Sequence, residues 1–208
     1  DALARALDEQ GIAPSEFECL PEAKRRDWHI RFEDGKRTMR YRGRRLPVRS
    51  VFCWNSPYTD LFLSILEEIA GRYRPDGFYL DGVAFPCYGE KIACYCPRCR
   101  ERFQREFGMP LPTVRDLDAP AWPLFLQARR KWNAELAETI ARRVRAIDPG
   151  ISLVVNAVFG YHGWPCSMSP AAAKHFDFLC FEIPPGLLHR DARPPGFSVA
   201  DNFFWKSA

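Results

Sequence analysis

The sequence predicts an α/β fold of the (β/α)8 TIM-barrel type, incomplete in this chain. Three observations predict it. Short apolar runs alternate with segments of helical period, which is the pattern of strands and helices in turn. The runs are apolar throughout rather than alternating with polar residues, as expected of a parallel sheet buried on both faces. Asn55, Asp81, Asn156 and Glu182 sit at or just beyond the ends of such runs. At the C-terminal ends of neighbouring barrel strands these residues converge on one mouth. No G-x-G-x-x-G loop occurs, which argues against an open nucleotide-binding sheet. The chain has 208 residues and long loops, whereas a full barrel typically needs roughly 250. It therefore reads as a barrel fragment, one domain over 1–208, that opens in a helix over 1–10.

The elements follow in order. Residues 24–45 are rich in Lys and Arg, but Asp27, Glu33 and Asp34 interrupt them. FEDGKR reads as a turn between short extended pieces, so the segment is a solvated loop and hairpin. Residues 49–53 (RSVFC) are the first barrel strand. A helix is expected over 59–72, where Leu61, Phe62, Ile65, Leu66 and Ile69 recur at helical spacing. Pro75-Asp76-Gly77 turns the chain into a strand over 77–80, ended by Asp81-Gly82. A helix over 97–107 is closed by Gly108. A longer helix over 123–146 is stopped by Asp148-Pro149-Gly150. Strands follow over 151–155 and 176–181, with a brief helix over 171–175 between them and a fifth strand over 197–205.

The eight cysteines are unevenly placed. Cys94, Cys96 and Cys99 form a C-x-C-x-x-C knuckle within a loop at about 85–108. Thiolates at this spacing suit a structural zinc ion, which takes four ligands in a tetrahedron. The spacing leaves the fourth open between Cys87, near in sequence, and Cys53, at the end of the preceding strand. Such a site ties one strand-end loop to the next. Thiolate ligands also suit a reducing, cytoplasmic setting. The net charge of +4 is modest. The basic run over 24–45 also reads as a surface for nucleic acid or an acidic glycan, but the solvated hairpin is preferred and no nucleic-acid partner is expected. No apolar run reaches the ~18–20 residues of a membrane span.

The segments FCWNSPYTDLFLSILEEIAGRY, DGFYLDG and CYCPRCRERFQREFG carry a resemblance. They are similar to the family called hypothetical glycosyl hydrolase 6 and to glycoside hydrolase family 42, the β-galactosidases. The first likeness covers most of the chain. It implies a barrel, an O-glycosidase activity and carbohydrate metabolism. In family 42 a cysteine before N-S-P joins the knuckle on zinc, which here implies Cys53 with Cys94, Cys96 and Cys99 and makes Cys87 the runner-up. Family 42 enzymes carry an Asn-Glu pair on the strand before the knuckle. This chain has Leu80-Asp81-Gly82 there, so the β-galactosidase assignment does not transfer. An Asp at that position resembles the nucleophile of α-galactosidase and α-fucosidase barrels.

Glycosidases place two carboxyl groups about the scissile bond. The expected pair is Asp81 as nucleophile and Glu182, flanked by Phe181 and Ile183, as general acid/base. Asn156, Trp54, Tyr88, His162 and Trp164 are the expected substrate contacts, the rings stacking on sugar faces. The expected partner is a carbohydrate substrate, with a homo-oligomer compatible. Two other readings compete: a carbohydrate-binding barrel without catalysis, and a zinc-stapled protein-interaction or nucleic-acid module that uses the basic segment over 24–45.

Overall fold

The computed structural model describes residues 28–35, 38–41, 44–47, 52–81, 83–85, 87–88, 91–112, 118–156 and 169–180. At 38–41, 44–47, 87–88 and 91–92 it describes the backbone alone. The basic segment ends in a hairpin of β1 (Thr38–Tyr41) and β2 (Arg44–Pro47), paired antiparallel. Within the FEDGKR segment residues 32–35 turn, the Gly35 N–H donating to the Phe32 carbonyl at 2.9 Å with Gly35 at φ 75°. The strands pair across 42–43 instead of across that turn.

Helix α1 (Tyr58–Tyr73) starts after Pro57. Ser56 Oγ accepts from the Tyr58 N–H at 3.3 Å and donates to the Cys53 carbonyl at 2.6 Å. Arg74, left-handed at φ 48°, ends the helix just before Pro75. Strand β3 (Gly77–Leu80) follows. A Cβ at Gly77 would lie 2.8 Å from the Ser152 carbonyl oxygen, so glycine is what lets the neighbouring strand approach. A short antiparallel pair, β4 (Cys87–Tyr88) and β5 (Lys91–Ile92), leads to α2 (Pro97–Phe107). Gly108, at φ 70°, closes α2 by donating to the Gln104 carbonyl.

Helix α3 (Ala121–Ile147) has 27 residues and is about 40 Å long. Asp148 stops it and accepts the Gly150 N–H at 2.8 Å. Strand β6 (Ser152–Asn156), the short α4 (Pro170–Ala173), capped by Ser169, and β7 (Phe178–Cys180) complete the described chain.

Strands β3, β6 and β7 form one parallel sheet in the order β3-β6-β7. One face packs on helices: Leu80, Leu153 and Val155 meet Leu63, Leu66 and Ala70 of α1 and Leu136, Ile140 and Val144 of α3. A second core surrounds the knuckle, with Ile30, Phe32, Phe85, Phe103, Trp122, Phe125 and Trp132. The N-terminal half of α3 belongs to this second core and its C-terminal half to the sheet. One helix therefore fixes the two cores relative to each other. The bidentate Arg143–Glu67 pair, at 2.5 Å, adds a tie between α3 and α1.

The described residues do not form the expected (β/α)8 barrel. Among the described residues only three strands share the parallel sheet, with four helices, too few to close a barrel. The described end of the expected strand 49–53 does not join that sheet. Phe52 makes an isolated antiparallel bridge with His29, and the Cys53 N–H bonds the Trp28 carbonyl at 2.7 Å. The other sheet face is only partly covered. Tyr79, Val154 and Phe178 pair in one row across it, and Tyr79 and Phe178 are 57% and 55% exposed. Apolar runs alone do not distinguish a sheet covered on one face from one covered on two. The helix expected over 1–10 and the strand over 197–205 lie outside the described residues. No described helix is long and apolar enough to cross a membrane.

Candidate metal centre and the adjoining sheet edge

Three structural segments meet at the cysteines. Cys53 lies on the turn before α1, Cys94 and Cys96 on the extended stretch after β5, and Cys99 in the first turn of α2. All four are buried, and their Sγ atoms lie within 4.8 Å of one another. Cys53 Sγ is 3.4 Å from Cys99 Sγ and 3.5 Å from Cys96 Sγ. A zinc ion with four bonds of about 2.3 Å holds its sulfurs about 3.8 Å apart, so the cage has the size of one tetrahedral ion. No pair is disulfide-bonded.

The surroundings suit thiolates. The Arg31 and Cys96 N–H groups each donate to Cys94 Sγ at 3.3 Å. The Asn55 N–H donates to Cys53 Sγ at 3.4 Å, and Asn55 Nδ2 to Cys99 Sγ at 3.2 Å. Cys99 also stands at a helix N-terminus, where negative charge is favoured. Burial pushes the Cys53 and Cys94 thiols up. Hydrogen bonds from Cys53 and Cys94 draw Cys96 down. Burial opposes charge on Cys99 as well, yet hydrogen bonds from Cys53, Cys94 and Cys96, with the nearby Arg129 charge, hold it well below the ordinary thiol.

Asn55 connects the cage to an ion-pair network. Its Oδ1 accepts from Arg102 Nη1 at 2.7 Å. Arg102 also bonds Glu106, at 2.7 Å, and Glu135. Glu106 in turn accepts from Lys131 at 2.9 Å and from Trp132 Nε1 at 3.2 Å. Burial works against the Glu106 charge, but the hydrogen bonds from Arg102, Lys131 and Trp132 bring its pKa down to about 2. The group's ordinary value is 4.5, so its stabilising contribution is complete above that pH and fades as pH falls toward 2. Glu106→Gln is expected to melt below the wild type at pH 6. The gap should narrow as pH falls and be small at about pH 2, where Glu106 is half protonated in the folded state; melting curves across that range check it.

The knuckle is linked to the sheet. Trp54 Nε1 donates to the Ala84 carbonyl at 3.1 Å, and the Phe85 N–H donates to Asn133 of α3 at 3.2 Å. These bonds fix the segment leaving β3. Just past Leu80 is Asp81, exposed, whose Oδ1 accepts from Asn156 Nδ2 at 3.0 Å. Asn156 is the buried last residue of β6. The structure thus brings two of the expected mouth residues together at the C-terminal ends of adjacent strands.

Trp54 is placed differently from a sugar platform, since its ring packs on Tyr58 and Phe62 at 4.9 and 5.2 Å. Glu182, His162, Trp164 and the side chains of Tyr88 and Cys87 lie outside the described residues. Sequence reasoning missed Arg129, Asn133 and the bridging role of Asn55. The first two were legible in principle. Both fall on the buried stripe of α3 that contains Phe125, Trp132 and Leu136, where a polar residue is out of place.

The chain matches no protein-family model and no curated protein. The geometry is therefore the basis for the functional reading.

Proposed function

We propose that the chain is a zinc-stapled glycoside hydrolase domain. In this reading Cys53, Cys94, Cys96 and Cys99 hold a structural Zn2+, and Asp81 and Glu182 act on the glycosidic bond of an oligosaccharide. The observation that carries it is the Asp81–Asn156 hydrogen bond at the C-terminal ends of two adjacent parallel strands. Ligands of open parallel α/β sheets bind in the crevice outside those ends, so the argument does not need a closed barrel. A carboxylate with one oxygen fixed by a buried amide, on an exposed residue, is a suitable nucleophile or base. Asn156 positions it and would also hydrogen-bond a sugar hydroxyl. Glu182, two residues beyond Cys180 at the end of β7, supplies the second carboxyl group.

The resemblance of the N-S-P, F-x-x-D-G and C-x-C-x-x-C segments to glycoside hydrolases supports the same reading. Zinc supplies a cross-link, not the chemistry. It joins the turn before α1 to the start of α2, and the Trp54–Ala84 bond transmits that rigidity to the segment beside Asp81. The test is hydrolysis of a panel of aryl α- and β-glycosides by the wild type and by Asp81→Asn. Turnover confined to the wild type supports the reading; equal turnover, or none on any glycoside, counts against it.

A further inference from the structure

Arg129 is a cation in an unusual place. It is fully buried in the first half of α3. Its guanidinium lies over the rings of Phe125, Phe85 and Trp132, at 4.5, 4.8 and 5.0 Å. Nη2 donates to the Cys94 carbonyl at 2.5 Å, and Nη1 lies 4.0 Å from Cys99 Sγ. Nε has no hydrogen-bond partner, and no carboxylate pairs with Arg129 among the described residues. Arg72, Arg102, Arg143 and Arg145, by contrast, each pair with a carboxylate. Buried charges without an opposite charge are strongly disfavoured. The opposite charge available to Arg129 is the thiolate cage.

We infer that Arg129 is the internal counter-ion of the metal–tetrathiolate centre. This rests on the zinc reading above and extends it. Four thiolates around a divalent ion carry net negative charge, and the buried guanidinium offsets part of it within hydrogen-bonding range of Cys99. Arg129 is thus a positioning and charge-balancing residue rather than a ligand. The coupling is reciprocal. The charge favours the loaded centre, because four thiolates around the metal carry more negative charge than the metal-free cage.

This reciprocity separates a counter-ion from a packing residue. Zinc affinity, measured by competition with a chromophoric chelator, and melting with and without zinc are compared in the wild type, Arg129→Met, Arg129→Gln and Arg130→Gln. The last removes the same charge from an exposed position. Arg129→Met and Arg129→Gln should each weaken zinc binding by about tenfold or more, with the zinc-loaded form losing more melting temperature than the metal-free form. Arg130→Gln should bind zinc as the wild type does. Affinity within twofold of the wild type in Arg129→Gln would overturn the inference while leaving the zinc site standing. So would equal destabilisation of the loaded and metal-free forms, or failure of both Arg129 variants to fold. A wild type that binds no zinc would overturn the zinc reading itself.

Discussion

Cys53→Ser is expected to release the metal and lower the melting temperature by more than about 10 °C. Cys53 is the one cage residue remote in sequence from the knuckle, so it decides whether the centre links separate segments or closes a local loop. Structural zinc binding is worth on the order of 10 kcal/mol or more, comparable with the whole stability of an ordinary domain. Replacing one buried thiol by a hydroxyl of similar size would, without metal, cost only roughly 1–3 kcal/mol. The size of the effect therefore distinguishes the two cases. A strong chelator should reproduce the loss in the wild type and do nothing further to Cys53→Ser. The knuckle core of Phe85, Phe103, Phe125 and Trp132 is built around the cage, so loosening should begin there. The Leu153–Ile140 core under the sheet keeps its own packing. Hydrogen exchange on the loaded and stripped protein would register that order.

Asp81→Asn is expected to lower kcat for glycoside hydrolysis by about a thousandfold or more, with melting unchanged to within about 2 °C. The two expectations go together because Asp81 is exposed. Its partner Asn156 is buried, so Asn156→Ala should lose both activity and stability. A large fall in stability for Asp81→Asn would instead mark Asp81 as the turn residue that Asp-Gly pairs often supply.

How much was legible before the structure depended on the kind of signal. Helices α1, α2 and α3 and strands β3 and β6 were readable to within one or two residues, because their stop signals are local: Pro75, Gly108 and Asp148-Pro149-Gly150. The cage was partly readable. Spacing identified the knuckle, but it left Cys53 and Cys87 open, since the fourth ligand depends on where a distant turn lies. The barrel was not readable, and the reason is specific. An apolar run such as GFYL is the same whether Tyr79 faces a second layer or solvent, and here Tyr79 is exposed. RSVFC likewise gave no sign that its end would bridge His29 antiparallel. Arg129 was hidden in the charged run Arg129-Arg130-Lys131, where only the register of the buried stripe separates the core arginine from the exposed one.

The central claim is that four cysteines from separate segments hold one zinc ion. X-ray absorption at the zinc edge, with elemental analysis on the same sample, tests it most directly. The predicted result is one zinc per chain with four sulfur neighbours at about 2.3 Å. Absence of metal, or a first shell in which nitrogen or oxygen replaces sulfur, would contradict it.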